Sequence, residues 1–172
     1  MQWVSALEEI DAALSRRVPP GVGVLVTSDH GMVDVPVHRQ VVLEAEHLDG
    51  VRHIGGEPRM LHVYVEPDAD AAVVAERWRR DLEGLADVGT GQEAIASGFF
   101  GPEVTSAAAT RIGDVLVVAR GNGAVYDGTA ADQRGRGMIG QHGGLTPEER
   151  QVPLLRFCLL YTSPSPRDAT LS

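Results

Sequence analysis

The chain has 172 residues, of which 43% are hydrophobic and 23% are charged, and this composition is typical of one globular domain or a large part of one. The formal net charge of −9 and the absence of a dense Lys/Arg patch argue against a nucleic-acid polymer as partner. No apolar run is long enough to predict a membrane-spanning segment. Cys158 is the single cysteine, so any metal site must use histidines and carboxylates.

The N-terminal part of the chain predicts a helix followed by a buried strand. Residues 3–17 repeat apolar side chains at helical spacing, and Pro19-Pro20-Gly21 ends the helix. Residues 22–27 are apolar and rich in β-branched side chains, which is typical of a strand buried on both faces in a parallel sheet. The segment Ser-Asp-His-Gly-Met at residues 28–32 follows directly. Because α/β sheets bind ligands beyond the carboxyl ends of their strands, this segment is well placed for chemistry.

The middle of the chain predicts a small α+β subdomain inserted in the sheet. Strands are predicted over residues 41–43, 59–66, 85–88 and 112–119, and a helix is predicted over residues 69–82. We therefore expect four regions. They are a core segment at 1–39, the inserted subdomain at 40–126, a return to the core at 127–156, and a non-native or disordered tail at 157–172.

A second polar segment, Gly-Gln-His-Gly-Gly at residues 140–144, precedes a predicted helix start. Thr146 suits the N-cap position, and Pro147 suits the first helical turn. Glu149 comes three residues after the cap, as a capping box requires. A final core strand is expected to begin in the segment Val-Pro-Leu-Leu at residues 152–155.

The two polar segments together resemble the alkaline phosphatase superfamily, in particular its type I phosphodiesterase/nucleotide pyrophosphatase branch. Their histidines are 142 − 30 = 112 positions apart, with the subdomain between them. The resemblance implies an α/β fold. The chain would be the C-terminal part of an alkaline-phosphatase-like parallel-sheet sandwich, with a small inserted α+β subdomain.

The resemblance also implies a partial metal site. Asp29, His30 and His142 would be ligands to two divalent metal ions, with Zn²⁺ expected and Mn²⁺ left open. In the family the Asp-His pair binds the metal that activates the nucleophile, and the late histidine binds the partner metal. The family's Thr or Ser nucleophile, an earlier Asp and an Asp-x-x-x-His pair have no counterpart in this sequence. We therefore expect a fragment that contains no catalytic nucleophile and is inactive alone.

The function implied is hydrolysis of phosphodiester or pyrophosphate bonds in a small phosphate-ester or nucleotide substrate. Two alternatives stay open, namely a non-catalytic binding or structural remnant, and another branch of the superfamily such as a phosphomonoesterase or a sulfatase. The oligomeric state and the compartment are open as well, although a cytoplasmic location is favoured.

Other polar and aromatic residues have simpler interpretations. Arg59 either offers its guanidinium to a substrate phosphate or carboxylate, or is a solvated arginine in a turn, and the turn is favoured. Asp34 and His38 are expected to be a turn residue and an exposed histidine, the alternative being that they reach the metal site. Helical spacing predicts that Trp3 and Trp78 pack in the core.

Overall fold

The computed structural model describes residues 2–17 and 22–157 of the chain, which divides into two compact units. One unit is Met1–Asp29 with Pro153–Ser172, and the other is His30–Val152. The predicted helix stop at residues 19–21 and nearly all of the predicted tail lie outside the described residues.

The α-helices are α1 (Gln2–Arg17), α2 (Ala71–Asp81), α3 (Gly91–Ala96), α4 (Ser106–Ala109) and α5 (Pro147–Arg150). The strands are β1 (Val24–Thr27), β2 (Val33–Asp34), β3 (Gln40–Leu43), β4 (Val51–Glu57), β5 (Met60–Val65), β6 (Ala86–Thr90), β7 (Val115–Ala119), β8 (Ala124–Asp127), β9 (Gly140–Gln141) and β10 (Leu154–Phe157).

The first unit contains helix α1 and the antiparallel pair formed by β1 and β10. The helix confirms the prediction over residues 3–17, but Trp3 is 82% exposed and is not the packing residue that its spacing predicts. In the strand pair Val24 lies opposite Phe157 and Thr27 lies opposite Leu154. Residues along β1 alternate between half-buried and exposed, which differs from the predicted strand with two buried faces. The difference arises because successive side chains of a strand point to opposite faces, and only one face of β1 is covered.

The second unit is built around a four-stranded antiparallel sheet in the order β4-β5-β7-β6. Helix α2 packs on this sheet through a buried stripe that includes Val74, Ala75 and Trp78. Asp70 begins the helix by accepting a hydrogen bond from the Ala72 N–H, as an N-cap does. Val63, in strand β5, is fully buried within the same core. The packing of Trp78 and the α+β character of this region are as predicted.

Two further strand pairs of the second unit connect this subdomain to the histidine segments. Strand β3 runs parallel to β8, and β2 runs antiparallel to β9. Val35, Ala124 and Tyr126 form a small buried cluster beside these pairs. Strand β2 begins three positions after His30, and β9 ends directly before His142, so their ladder brings these two histidines of the second unit side by side.

The α/β fold class predicted from the sequence is confirmed, with both parallel and antiparallel strand pairs present. The second unit, His30–Val152, contains the whole of the predicted subdomain 40–126, whose boundaries stay a prediction. Among the residues that the structure describes, no helix combines the length and the apolar character needed to cross a membrane.

Candidate functional site

The two histidines of the sequence motifs lie against each other in the second unit. The ring centroids of His30 and His142 are 3.7 Å apart, and the ring planes are inclined by only 16°. The β2–β9 ladder explains this contact, because it pairs Val33 with Gln141 and so aligns the segments on either side. Two residues that are far apart in the sequence therefore form a stacked pair.

The tautomer of His30 follows from its contact with the next residue. Its Nδ1 lies 2.8 Å from the Gly31 carbonyl oxygen. A carbonyl oxygen only accepts hydrogen bonds, so Nδ1 must carry the proton, and the lone pair of the neutral ring is on Nε2. A histidine that binds a metal characteristically donates its other ring N–H to a carbonyl or carboxylate in this way.

The stacked geometry limits how the two rings can bind metal ions. The lone pair of an imidazole lies in the ring plane, and metal–nitrogen bonds are about 2.0–2.1 Å long. Two nearly parallel planes whose ring centroids are 3.7 Å apart do not converge on one ion at that distance. The stacked pair is therefore not arranged to share one ion. Within the described part of the chain, no cluster of three or more His, Cys, Asp or Glu side chains could hold a metal.

Asp29, the third predicted ligand, lies at the boundary between the two units. Asp29 is exposed and ends the N-terminal segment of the first unit, and His30 is the first residue of the second unit. The structure thus brings together two of the three predicted ligands, His30 and His142. His38 is exposed, as expected. Asp34 is exposed too, but it lies in strand β2 opposite Gly140 and not in a turn, because the strand pairs with β9.

A carboxylate that the sequence analysis did not single out approaches this pair. Glu57, the last residue of β4, has its Oε2 atom 4.0 Å from His142 Nε2. Gly143 makes the approach feasible, because a Cβ atom there would lie 2.8 Å from Glu57 Cβ, and the backbone φ of +107° favours glycine. The only sign of this contact in the sequence is the glycine that follows His142.

Arg59 forms a buried ion pair, so neither interpretation from the sequence is correct. It is fully buried, and its Nε and Nη2 atoms donate to Glu149 Oε1 and Oε2 at 2.6 and 2.9 Å. Its Nη1 donates to the Gly123 carbonyl oxygen at 2.5 Å, and Nη2 also donates to that of Gly121 at 2.9 Å. The planar guanidinium matches the carboxylate in a two-bonded fork, which explains why an arginine is tolerated in the interior.

Glu149 completes the predicted capping box and accepts several further hydrogen bonds. Its Oε1 accepts the Gly144 N–H at 2.7 Å, and its Oε2 accepts the Thr146 N–H at 3.1 Å and the Thr146 hydroxyl at 2.8 Å. Its backbone carbonyl accepts the Gly31 N–H at 2.9 Å. One residue thus contacts the segments that follow both histidines.

These contacts predict a stability that falls in acid. Burial alone would raise the pKa of Glu149, but hydrogen bonds from Arg59, Thr146 and Gly144 lower the pKa from 4.5 to about 2. Since the folded pKa is depressed, the stabilisation is fully present above about pH 4.5 and is lost as the pH falls towards about 2. This separation corresponds to roughly 3 kcal/mol. Urea unfolding between about pH 6 and pH 3 should show the decline. The Glu149→Gln variant should show a flatter dependence than the exposed-site control Glu148→Gln, and equal slopes would contradict the prediction.

Comparison with known proteins identifies the family. The family model described as type I phosphodiesterase/nucleotide pyrophosphatase matches residues 2–145. Phosphonoacetate hydrolase from Sinorhizobium meliloti 1021, solved with phosphonoacetate, has a TM-score of 0.56 and 23% identity, covering 94% of this chain and 40% of that chain. Human ectonucleotide pyrophosphatase/phosphodiesterase 5 has a TM-score of 0.61 and 14% identity, covering 86% and 36%. An inactive variant of the murine protein, solved with AMP, has a TM-score of 0.57 and 17% identity, covering 77% and 33%.

At these identities the structural likenesses show the fold, and the chain spans between 33% and 40% of the length of those three structures. The comparison with curated protein sequences yields no significant match. The family assignment depends instead on the family model, which covers most of the chain, and it agrees with the two histidine motifs. The chain therefore belongs to the type I phosphodiesterase/nucleotide pyrophosphatase family of the alkaline phosphatase superfamily.

Proposed function

We propose that this chain is part of a metal-dependent hydrolase of phosphodiester or pyrophosphate bonds. The observation that carries the proposal is the stack of His30 and His142, whose rings come from the two motifs and lie 3.7 Å apart. Membership of the family supports the reaction class. The nearly parallel rings support a site for two ions, since one ion could not bind both.

The chain's own residues would bind and orient the two ions. His30 would hold one ion through Nε2, because its Nδ1–H is directed at the Gly31 carbonyl oxygen. His142 would hold the other, and Asp29 would join His30 by its adjacency in the sequence. When bound, divalent ions such as Zn²⁺ supply positive charge that stabilises the attacking and leaving oxygens of a phosphoryl group. Gly143 keeps the backbone beside His142 free of a side chain, which leaves Glu57 close to that ring.

The substrate we propose is a small phosphate ester, phosphonate or nucleotide. Solved relatives are in complex with phosphonoacetate and with AMP, which are both small anions. The net charge of −9 disfavours a nucleic-acid polymer. From the resemblance we expect no counterpart of the family's Thr or Ser nucleophile among these 172 residues. We therefore propose that the chain alone binds metal and does not turn over substrate.

The metal assignment is tested by calorimetric titration of the 172-residue chain with Zn²⁺. We expect His142→Ala and His30→Ala each to remove one binding event, while His38→Ala, at an exposed histidine, leaves the titration unchanged. An unchanged stoichiometry and affinity in His142→Ala would refute that histidine as a ligand.

The substrate class is tested separately with AMP as the probe and adenosine as its control, since adenosine lacks the phosphate. We expect the zinc-loaded chain to bind AMP and not adenosine, and the zinc-free chain to bind neither. Equal binding of both ligands would exclude phosphate recognition. Zinc-independent binding of AMP would favour a non-catalytic binding remnant.

A further inference from the structure

Glu149 contacts the backbone segments that follow both histidines. Its carboxylate accepts the N–H of Gly144, which is two residues after His142. Its carbonyl oxygen accepts the N–H of Gly31, which is one residue after His30. The side chain therefore fixes one histidine segment and the main chain fixes the other.

Glycine at positions 31 and 144 allows the two backbone segments to approach Glu149 closely. A Cβ atom on Gly31 would overlap the carbonyl oxygen of Glu148, so only glycine lets that segment lie against helix α5. A Cβ atom on Gly144 would lie 2.8 Å from Glu149 Oε2 and 2.9 Å from Arg59 Nη2. Both separations are too short for a real carbon atom, so the two segments are packed directly onto Glu149 and its neighbour.

Arg59 holds the carboxylate of Glu149 in a single orientation. The guanidinium binds both carboxylate oxygens and is itself held by the carbonyl oxygens of Gly121 and Gly123. Arg59 follows Glu57 by two residues, so the same pair holds the turn between β4 and β5 beside His142. A carboxylate bound on both oxygens in a buried site has little freedom to rotate.

We propose that Glu149 is a positioning residue that sets the placement of the His30 ring against the His142 ring. Glu149 touches neither ring in any described contact, and it acts through the backbone of Gly31 and Gly144. These contacts support the effect of Glu149 on ring placement. An effect of Glu149 on metal binding rests in addition on the proposed function. A residue that only stabilised the fold would leave the ring contact intact in the folded molecules.

The decisive measurement is the nuclear Overhauser effect between the rings of His30 and His142 in the zinc-free chain. In Glu149→Gln an NH₂ group replaces one of the two acceptor oxygens, so it faces either Arg59 Nε and the Gly144 N–H or Arg59 Nη2 and Thr146. In both orientations a donor meets the guanidinium, and the fork that holds the side chain against Gly144 is broken. We expect the inter-ring effect to be lost. The neighbouring Glu148→Gln makes the same charge change at an exposed position and should retain the effect of the unmodified chain.

Two other histidines report whether the rest of the fold survives. His62 Nδ1 accepts the Gly113 N–H at 3.2 Å, and His47 Nδ1 accepts the Glu44 N–H at 3.0 Å. Their ring signals should be unchanged in Glu149→Gln.

If Glu149→Gln does not fold, Thr146→Val takes its place, because this change removes one hydroxyl donor to Glu149 Oε2 and keeps the backbone N–H. In Thr146→Val we expect the inter-ring effect to weaken.

Zinc titration separates this inference from the proposed function. We expect Glu149→Gln to weaken zinc binding roughly 10–100-fold, as loss of a residue that orients metal ligands does, and Glu148→Gln to leave it unchanged. If the unmodified chain binds no zinc but Glu149→Gln still separates the rings, the proposed function fails and the positioning role stands. An unchanged inter-ring effect in folded Glu149→Gln, or in folded Thr146→Val if it is used instead, would overturn the positioning role whatever the zinc result.

Discussion

Replacing Arg59 with methionine is expected to lower the free energy of unfolding by about 3–5 kcal/mol, because breaking a buried ion pair leaves an uncompensated charge. The carboxylate of Glu149 would keep its buried position without its two guanidinium hydrogen bonds. The carbonyl oxygens of Gly121 and Gly123 would each lose a donor as well. Methionine is unbranched and fills much of the same volume, so the change reports mainly the lost polar contacts. Urea unfolding at neutral pH measures the effect.

The matched control is Arg79→Met, which breaks an ion pair with Glu76 on the exposed surface of helix α2. Exposed pairs of this kind contribute about 0–1 kcal/mol, so this variant should unfold close to the unmodified chain. The double variant Arg59→Met with Glu149→Met should lose less stability than the sum of the two single variants, because it leaves no unpaired charge. If the substitutions at positions 59 and 79 lowered the free energy of unfolding equally, the buried pair would contribute no more to stability than the exposed pair.

Replacing Trp78 with alanine is expected to lower the free energy of unfolding by about 3–5 kcal/mol, the usual result for removing a buried tryptophan. Trp78 is only 1% exposed and packs in the core between helix α2 and the four-stranded sheet. Its Nε1–H also donates to the His47 carbonyl oxygen at 2.9 Å, which would lose that donor. Thermal and urea unfolding followed by circular dichroism measure the loss.

Trp3→Ala is the matched control, since it removes the same side chain at a position that is 82% exposed. A surface substitution of this kind changes stability by about 0.5 kcal/mol or less. If both tryptophan variants lost the same stability, the assignment of Trp78 to the core would be wrong.

Together these variants distinguish the stability of the subdomain from the arrangement of the histidines. Trp78 belongs to the main core, and no described contact joins it to His30 or His142. We therefore expect folded Trp78→Ala to keep the zinc affinity of the unmodified chain, while folded Arg59→Met loses affinity along with stability. Such a contrast would show that the buried ion pair acts on His30 and His142 as well as on the fold.

Features that depend on local pattern could be predicted from the amino-acid sequence. Periodic apolar residues predicted helix α1 and helix α2, an alternating pattern predicted strand β5, and a short apolar run predicted strand β7. The capping box of Thr146 and Glu149 was also readable, because all of its groups lie within four residues. The two histidine motifs indicated the family for the same reason, since each is a short string with a specific composition. None of these features requires knowledge of which segments meet in space.

Contacts between distant segments could not be predicted in this way, because they depend on how the whole chain packs. Arg59 and Glu149 are 90 positions apart, and no local pattern distinguishes an arginine in a solvated turn from one that forms a buried fork with a carboxylate. Long-range packing also explains three other features. They are the antiparallel pairing of β1 with β10, the exposure of Trp3 and the approach of Glu57 to His142. The stack of His30 on His142 depends on both local sequence pattern and long-range packing. The sequence supplied two histidines of the right kind, and the β2–β9 ladder with the carboxylate and carbonyl of Glu149 brought their rings together.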